Sequence, residues 1–359
     1  MIPGDIGTAL ASAAQAAAAA GELPSAAARM SPAGTWRPAP AGARAGAGRY
    51  ATSLPFAIAR ASGRDATEVA ALLAARLSGA AGIAAATATG GGYLTVTVTD
   101  AALTALPARV VAAGPACAAS DALAGTRLTA ARHPDLAAAG SWEQARQWVA
   151  GAVTGRLAAT AGAHVNFEIH PKRPAAPPPG PPPGPGAVAA AVAFAGADRV
   201  RYALARTAAG GGTAMGRQFS VLNARSDPGY AVRSAHADAA SVLRWAGDLG
   251  IRRGDRRALA PGRLAHPCER ELLAAISWLP ERAASAARRR QPQAFPRYLE
   301  YLAGAWLDCS QSCPALPFGG QAAPHDEAGT AARLWLAEAA RVALAAGLAL
   351  LEVAAPDRV

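Results

Sequence analysis

The stretch Asp-Arg-Val-Arg-Tyr at residues 198–202 opens a C-terminal block that closes on Ala-Pro-Asp-Arg-Val at residues 355–359. Within this block, apolar side chains recur every three or four residues, as they do along one face of an α-helix. The last such segment, residues 329–351, is apolar on nearly all sides, which is typical of a helix at the centre of a bundle. Its main stripe consists of Leu334, Ala337, Leu344, Leu348 and Leu351. We therefore predict an all-α helical bundle over residues 188–359.

Local signals place three more helices in this block. Asp227 and Pro228 form a favourable N-cap and N1 pair, which predicts a helix that continues to about Ala246. A shorter helix is predicted over residues 269–277, and Pro280 bends or ends it. The third helix carries an apolar stripe made of Phe295, Tyr298, Leu299, Leu302 and Trp306.

The first 104 residues predict a separate α+β domain. Residues 1–27 are rich in alanine and favour a helix, whereas residues 30–40 are broken by prolines and favour an extended strand. Asp65 is a suitable N-cap for a helix whose buried side includes Val69 and Leu73. Residues 94–99 alternate apolar side chains with threonines, which predicts a half-buried strand.

Charge and composition favour a polyanionic partner. The chain of 359 residues has a net charge of +11, and Lys172 is the only lysine among 35 basic residues. A strongly basic protein suits nucleic acid, although a GC-rich genome also favours arginine. The four cysteines show no zinc-binding spacing, the first arginine is Arg29, and no run predicts a membrane span. We expect a soluble cytoplasmic protein with no metal and no cofactor.

The C-terminal block resembles the DALR anticodon-binding domain of arginyl-tRNA synthetases. Residues 198–202 match the opening motif, usually D-A-L-R-Y, and residues 227–237 resemble the helix N-P-V-Y-Y-V-Q-Y-A-H-A. Residues 298–306 resemble the helix that follows, and residues 347–358 resemble the closing G-L-x-L-L-G-I-x-A-P-E-R-M. The sequence departs from these motifs at Asp227, Arg233, Ser234 and Val359.

The N-terminal part resembles the additional N-terminal domain of the same synthetases. Residues 48–54 are similar to the motif G-D-Y-A-T-N-x-A, with Arg49 and Ser53 in place of Asp and Asn. The strand that begins at Tyr93 resembles a strand through which bacterial members contact the tRNA D-loop. The resemblance implies that Tyr93 stacks on an RNA base, which an aromatic ring can do. A tyrosine packed on the domain surface is the alternative.

The synthetase catalytic domain has no counterpart in this sequence. Only about 100 residues separate the two similar regions, which we divide into a short connector at 105–170 and a proline-glycine linker at 171–187. Within the connector, the sequence predicts a helix from Trp142 to about Ala161 and a strand at His164–Ile169. After the linker, Val188–Phe194 is predicted as a strand that leads into the bundle. Class I aminoacylation uses H-I-G-H and K-M-S-K-S signatures around the ATP phosphates. Neither occurs here, and Lys172 lies in a proline-rich segment. We therefore expect no catalytic residues.

Two other features of the sequence leave their interpretation open. His164, Asn166, Glu168 and His170 would share one strand face, where a metal could bind, but a solvated surface is the expectation. The densest basic clusters are Arg252, Arg253, Arg256 and Arg257, and separately Arg288, Arg289 and Arg290. They are either solvated helix ends or contacts to RNA phosphates.

The sequence thus predicts a non-catalytic tRNA-binding protein, an anticodon-binding protein related to arginyl-tRNA synthetase (NrtL type). Arginines would meet phosphates, while tyrosine and histidine would stack on bases. The candidate tRNA contacts are Tyr93, Arg201, Tyr230, Arg233, His236, Arg244, Arg341 and Arg358. The first alternative is a scaffold that binds a protein partner. The second is arginine–tRNA ligase activity, which the resemblance alone would imply. No membrane partner is expected.

Overall fold

A computed structural model describes residues 2–39, 48–132, 135–169, 186–208, 227–316 and 327–359. An N-terminal α/β region is followed by a helical C-terminal region, as predicted. The chain divides into two compact units. The first comprises Met1–Ala113, Trp245–Glu281 and Asp308–Ala339. The second comprises Gly114–Arg244, Arg282–Leu307 and Ala340–Val359. The domain boundaries given above remain predictions, and most of the predicted linker lies outside the described residues.

A four-stranded antiparallel sheet forms the N-terminal part of the first unit. Its strands β1 (Trp36–Pro38), β2 (Arg49–Thr52), β3 (Ile83–Thr89) and β4 (Tyr93–Val98) lie in the order β1-β2-β4-β3. Three helices accompany the sheet: α1 (Pro3–Ala19), α2 (Leu54–Ser62) and α3 (Ala66–Leu77). Asp65 caps α3 by accepting the Thr67 and Glu68 amides, so that the predicted helix start is confirmed.

The next stretch, residues 100–118, bears on the expectation that the chain has no membrane span. It has a mean hydropathy of 1.3 and passes for a membrane-spanning helix by length and composition, as core helices of soluble proteins also do. One stretch of this kind is weak evidence against the expectation. The stretch is divided into α4 (Asp100–Thr104), α5 (Leu106–Ala113) and a 3-10 turn at Gly114–Ala118. Leu103, Leu106 and Val110 are buried in the protein.

Five long helices follow in the C-terminal region: α9 (Pro228–Asp248), α10 (Pro267–Ser277), α11 (Leu279–Arg288), α12 (Ala294–Ser312) and α13 (Glu327–Leu350). They are preceded by α6 (Trp142–Thr160), α7 (Ala187–Ala195) and α8 (Ala197–Arg206). The predicted apolar stripes are buried, with Leu334, Leu344, Phe295 and Leu302 at 1% exposure or less. Pro280 lies in the first turn of α11, where its missing amide hydrogen is harmless.

Within the first unit, the N-terminal sheet contacts the end of α10. The Tyr50 hydroxyl on β2 donates to Ser277 Oγ over 2.9 Å, and its ring centroid lies 5.4 Å from that of Trp278. The carboxylate of Asp100 accepts the Gly262 amide and pairs with Arg270. These contacts join residues more than 150 positions apart in the chain into one compact unit.

The predicted connector is a βαβ unit in the second compact unit. Strands β5 (Arg127–Arg132) and β6 (His164–Ile169) are parallel, and α6 crosses over between them. The helix at 142–160 and the strand at 164–169 confirm the sequence prediction, whereas β5 was not predicted. Helix α6 lies close to the sheet at Gly155, where a Cβ atom would come within 2.5 Å of the Ala130 methyl group.

One further element differs from expectation. The segment Val188–Phe194 is a short apolar run that was predicted as a strand, but it lies within helix α7. Six of the nine residues of α7 are alanine, the best helix former, and in the helix Val188 and Ala191 fall three residues apart on one buried side.

Candidate nucleic-acid interface

The motif at residues 198–202 forms much of α8 and holds the C-terminal tail, which we define as residues 352–359. Asp198 Oδ2 accepts the Ala354 amide over 2.9 Å. Arg201 Nη1 donates to the Glu352 carbonyl over 2.8 Å, and Arg201 Nε lies 3.6 Å from the Glu352 carboxylate. The Arg201 side chain is only 19% exposed. Its first role in this structure is therefore to fix the tail, and a tRNA phosphate would have to compete with Glu352 for it.

Tyr202, the last residue of the motif, anchors α8 to α12. Its hydroxyl donates to the Pro296 carbonyl over 3.0 Å. Burial raises the pKa of this tyrosine well above its ordinary value, so that the hydroxyl stays protonated. Arg206 adds an ion pair to Glu300 at 2.6 Å. The motif at residues 198–202 thus mainly connects α8 to the tail and to α12.

Helix α9 holds the other side of the tail. His236 is 1% exposed, and its Nδ1 lies 3.0 Å from the Pro356 carbonyl oxygen. Arg244 donates to the Asp357 carbonyl over 2.9 Å and to Ser241 Oγ over 2.7 Å. Burial lowers the pKa of His236. The stacking role predicted for His236 would require the tail to move away, because the ring is covered by it.

The first turn of α9 is tied to α8 by charge and by shape. Arg199 Nε lies 2.6 Å from Asp227 Oδ2, and the other oxygen of Asp227 accepts the Gly229 amide over 3.0 Å. A Cβ atom on Gly229 would lie 2.9 Å from the Tyr202 ring, so that only glycine permits this close approach. Sequence reasoning did not single out Arg199 or Gly229. The pair Asp227 and Pro228 predicted where the helix begins, but not the ion pair of Asp227 with Arg199.

A cleft of about 170 Å³ opens where α8, the first turn of α9 and the tail meet. We call it the α8–α9 cleft. Tyr230 and Arg233 line it together with Asp198, Arg199, Tyr202 and Val353. Tyr230 is 37% exposed. The Nε atom of Arg233 is buried and has no hydrogen-bond partner among the described residues. The cleft therefore combines an accessible aromatic ring with an unsatisfied donor on a cation.

The remaining predicted contacts lie outside this cleft. Arg341 on α13 is half-buried and close enough to His236 to lower the pKa of that histidine further. Arg358 is exposed near the end of the tail. In the first unit, Tyr93 begins β4, with the Phe56 ring 4.8 Å away edge-on. The Arg37 guanidinium lies 4.0 Å from the centroid of the Tyr93 ring, so that a stacking base would have to displace it or use the other face.

The basic clusters behave differently from one another. Arg253 packs over the Trp335 ring at 3.7 Å and pairs with Glu338, so it stabilises the first unit. Arg252, Arg256 and Arg257 are exposed, as are Arg288, Arg289 and Arg290. Among the described residues, no three His, Cys, Asp or Glu side chains are placed to hold a metal ion.

Comparison with known proteins identifies the C-terminal part of the chain. The DALR anticodon binding domain matches residues 232–359. The arginine–tRNA ligase of Renibacterium salmoninarum is 36% identical over 163 residues, which is 45% of this chain and 29% of that enzyme. The enzyme of Clavibacter sepedonicus is 38% identical over 165 residues, covering 45% of this chain and 28% of that enzyme. The chain thus matches less than a third of the length of these relatives.

A solved structure extends the likeness at the level of the fold. Thermus thermophilus arginyl-tRNA synthetase is similar with a TM-score of 0.61 and 14% sequence identity, and the likeness covers 100% of each chain. At that identity the likeness concerns the fold alone. The α8–α9 cleft and the tail therefore belong to a chain whose residues 232–359 match the DALR anticodon binding domain, and whose similarity to arginine–tRNA ligases covers 45% of its length.

Proposed function

We propose that this protein binds tRNA without aminoacylating it, and that its C-terminal region grips the anticodon stem-loop. The observation that carries the proposal is the α8–α9 cleft, in which Tyr230 is exposed and Arg233 Nε is buried without a partner. The DALR domain that begins at residue 232 supports tRNA as the nucleic acid. The relatives are named as arginine–tRNA ligases, which act on tRNA.

The chemistry of the cleft suits an unpaired nucleotide. A buried donor without a partner costs about 1–3 kcal/mol, and an acceptor on a base edge or a phosphate would remove that cost. An accessible tyrosine offers a stacking surface for a base splayed out of a loop. A cleft of about 170 Å³ has room for one base, not for a duplex. Single-stranded loop recognition is therefore the mode we propose.

The other predicted contacts fall into two roles under this proposal. Arg201 and His236 position the tail, and they act on RNA only indirectly. Arg244, Arg341 and Arg358 lie on or near the tail, and we propose that they contact backbone phosphates. Tyr93 would provide a separate contact through the N-terminal domain at residues 1–104, with the proline-glycine segment 171–187 as a linker. A cytoplasmic location follows from tRNA as the partner.

Substitutions in the cleft test the proposal directly. Tyr230→Ala should weaken tRNA binding by about tenfold, the effect of losing one base stack of roughly 1–3 kcal/mol. Arg233→Met, which keeps much of the side-chain bulk, should have a similar effect. Arg60→Ala removes an exposed arginine on α2 and serves as the control for charge alone. The proposal fails if both cleft variants bind tRNA as tightly as Arg60→Ala does.

The absence of aminoacylation is part of the proposal and has its own test. The sequence lacks both phosphate-binding signatures of class I synthetases. Arginine-dependent exchange between pyrophosphate and ATP should therefore stay at background with the purified protein, with or without tRNA. Exchange above background would reject the non-catalytic assignment and leave the tRNA-binding proposal standing.

One observation favours a second candidate function, a scaffold that binds another protein. Trp245 and Leu249 lie one helical turn apart at the end of α9 and are 55% and 60% exposed. Adjacent exposed apolar side chains of this size are typical of protein contacts. Purification from cells separates the candidates. Copurifying tRNA supports the first, whereas a stoichiometric protein without RNA supports the second.

A further inference from the structure

Two charged residues of the second compact unit occupy a backbone conformation that normally requires glycine. Arg290 has φ 53° and Glu352 has φ 55°, and among the described residues they are the two non-glycine positions with positive φ. Both follow the end of a helix. In each case the next amide bonds five residues back, Gln291 to Ala286 and Val353 to Leu348. This is the Schellman ending, in which glycine is favoured because a side chain is strained there.

The contacts of the Glu352 side chain explain why a non-glycine residue occupies this strained backbone conformation. Its carboxylate pairs with Arg156 and with Arg201, and these ion pairs fix the tail against α6 and α8. A strained residue is kept where its side chain makes a contact that glycine could not make. The ion pairs of Glu352 are such a contact.

Arg290 has the same strain and no such contact. Among the described residues, its guanidinium forms no ion pair and no hydrogen bond with any carboxylate. The side chain is exposed, so it contributes no buried packing. By the comparison with Glu352, an anionic partner of Arg290 is missing among the residues that the structure describes.

The surroundings of Arg290 show where that partner would lie. A second cleft of about 440 Å³ is formed by β5, α6 and the turn after α11, and we call it the β5–α6 cleft. Its polar lining consists of Thr129, Arg146, Thr154, Thr207, Arg290 and Gln293. None of the described residues that line it is acidic. Arg146 is paired with Glu143 at 2.9 Å, so the uncompensated charge of the cleft is that of Arg290.

Several donors in the cleft are available to a ligand. Among the described residues, the side chains of Thr129 and Gln293 have no hydrogen-bond partner. Within the part of the chain that the structure describes, β6 is the only strand paired with β5, and residues 128–131 of β5 line the cleft. Alternate amides of an unpaired strand edge point outward and can donate to an anion. The lining therefore offers hydroxyl, amide and guanidinium donors together.

Gly151 provides an independent indication that the cleft is kept open. It lies in the middle of α6, where glycine is less favourable than alanine. Gly155, one turn later, is required by packing because its Cβ would meet Ala130 and Phe167. A Cβ on Gly151 would meet nothing within 4 Å. Packing therefore does not require glycine at 151, and the glycine leaves this part of the cleft wall without a side chain.

We propose that the β5–α6 cleft is a binding site for a phosphate-bearing ligand, with Arg290 as its principal cationic contact. The phosphate could belong to a small phosphorylated molecule or to an RNA backbone, and both offer the same oxygens to the guanidinium. Arginine matches phosphate through two parallel hydrogen bonds, which a strained but well-aimed side chain can supply. The site is separate from the α8–α9 cleft and does not rest on the proposed function.

The test is calorimetric titration of the RNA-free protein with inorganic pyrophosphate. The wild-type protein should bind it, and Arg290→Gly should weaken binding by about tenfold or more, the usual effect of losing a charge-assisted contact. The same variant should keep or raise the melting temperature, because glycine relieves the backbone strain. Weaker binding in a protein that is no less stable separates a ligand contact from a structural role.

Two further variants complete the design. Gly151→Leu fills the cleft from α6 and should also abolish pyrophosphate binding, whereas Arg289→Ala removes the neighbouring charge and should leave it nearly unchanged. The proposal is overturned if the wild-type protein gives no binding heat, if Arg290→Gly binds as the wild type does, or if Arg289→Ala loses as much affinity. Displacement of pyrophosphate by tRNA would assign the phosphate to RNA. Simultaneous binding would assign it to a small ligand, and either result supports the site.

Discussion

Replacement of Arg201 by alanine separates a tail-fixing role from direct RNA contact. The variant loses the 2.8 Å hydrogen bond to the Glu352 carbonyl and the ion pair at 3.6 Å to its carboxylate. Hydrogen bonds to charged groups contribute about 1.5–3 kcal/mol. The variant also loses the ion pair at 3.5 Å to Asp198 Oδ1. Arg156 still pairs with Glu352 and the Ala354 amide still donates to Asp198, so neither carboxylate is left without a partner. We therefore expect a loss of about 2 kcal/mol in the free energy of unfolding.

This loss should lower the melting temperature by roughly 3 °C in a protein of this size, measured by circular dichroism. Glu352→Gln should lower stability less, because its amide can still accept from one arginine, and the double variant should show coupling between the two sites. tRNA affinity, measured at a temperature where every variant is folded, should fall by less than it does in Tyr230→Ala. An Arg201→Ala protein as stable as the wild type, with tRNA binding lost, would mean that Arg201 contacts RNA and that the tail-fixing argument is wrong.

Three further predictions concern stability. Burial lowers the pKa of His236 in the folded protein, so the unfolded chain binds the extra proton first as the pH falls through the ordinary histidine range near 6.5. The free energy of unfolding should therefore decrease with falling pH in this range, and His236→Asn should flatten this part of a urea-unfolding pH series. An unchanged slope in the variant would contradict the role of His236 in this pH dependence. Tyr50→Phe removes the hydroxyl that donates to Ser277 and should cost about 1 kcal/mol in denaturant unfolding, whereas an unchanged midpoint would deny the contact a role. Gly229→Ala should lower the melting temperature at a cost of about 1–3 kcal/mol, because the new Cβ atom would lie 2.9 Å from the Tyr202 ring. Gly304→Ala should raise the melting temperature slightly, because its Cβ would meet nothing within 4 Å. Equal shifts in the two variants would contradict the close approach at Gly229.

The helices of the C-terminal region could be predicted because their signals are local. Periodic apolar residues around Leu334 and Phe295, and the pair Asp227 and Pro228, depend only on neighbours in the sequence. The misassigned segment at 188–194 shows the limit of this reasoning. A short apolar run of valine, alanine and phenylalanine fits a buried strand as well as a helix, and its high alanine content favours helix α7.

The site could be predicted only in part. Tyr230 and Arg233 were named from the resemblance and do line one cleft, but their meeting with Val353 depends on a contact across more than a hundred residues. Arg201 and His236 were expected to contact RNA because they belong to motifs of a tRNA-binding family. In the structure, Arg201 donates a hydrogen bond to the Glu352 carbonyl, and His236 Nδ1 lies within hydrogen-bond distance of the Pro356 carbonyl. The strain at Arg290 could not be predicted from the sequence, because a Schellman ending is usually recognised by a glycine after the helix, and arginine stands at this position.

The central claim is that this chain binds tRNA, and a filter-binding titration tests it most directly. Labelled tRNA and duplex DNA of similar charge would be titrated with the protein at several salt concentrations. We predict tighter binding of tRNA at every salt concentration, with an affinity that falls linearly on a log–log plot as phosphate contacts release counterions. Equal affinity for tRNA and duplex DNA would contradict the account, because a positive charge alone would then explain the binding.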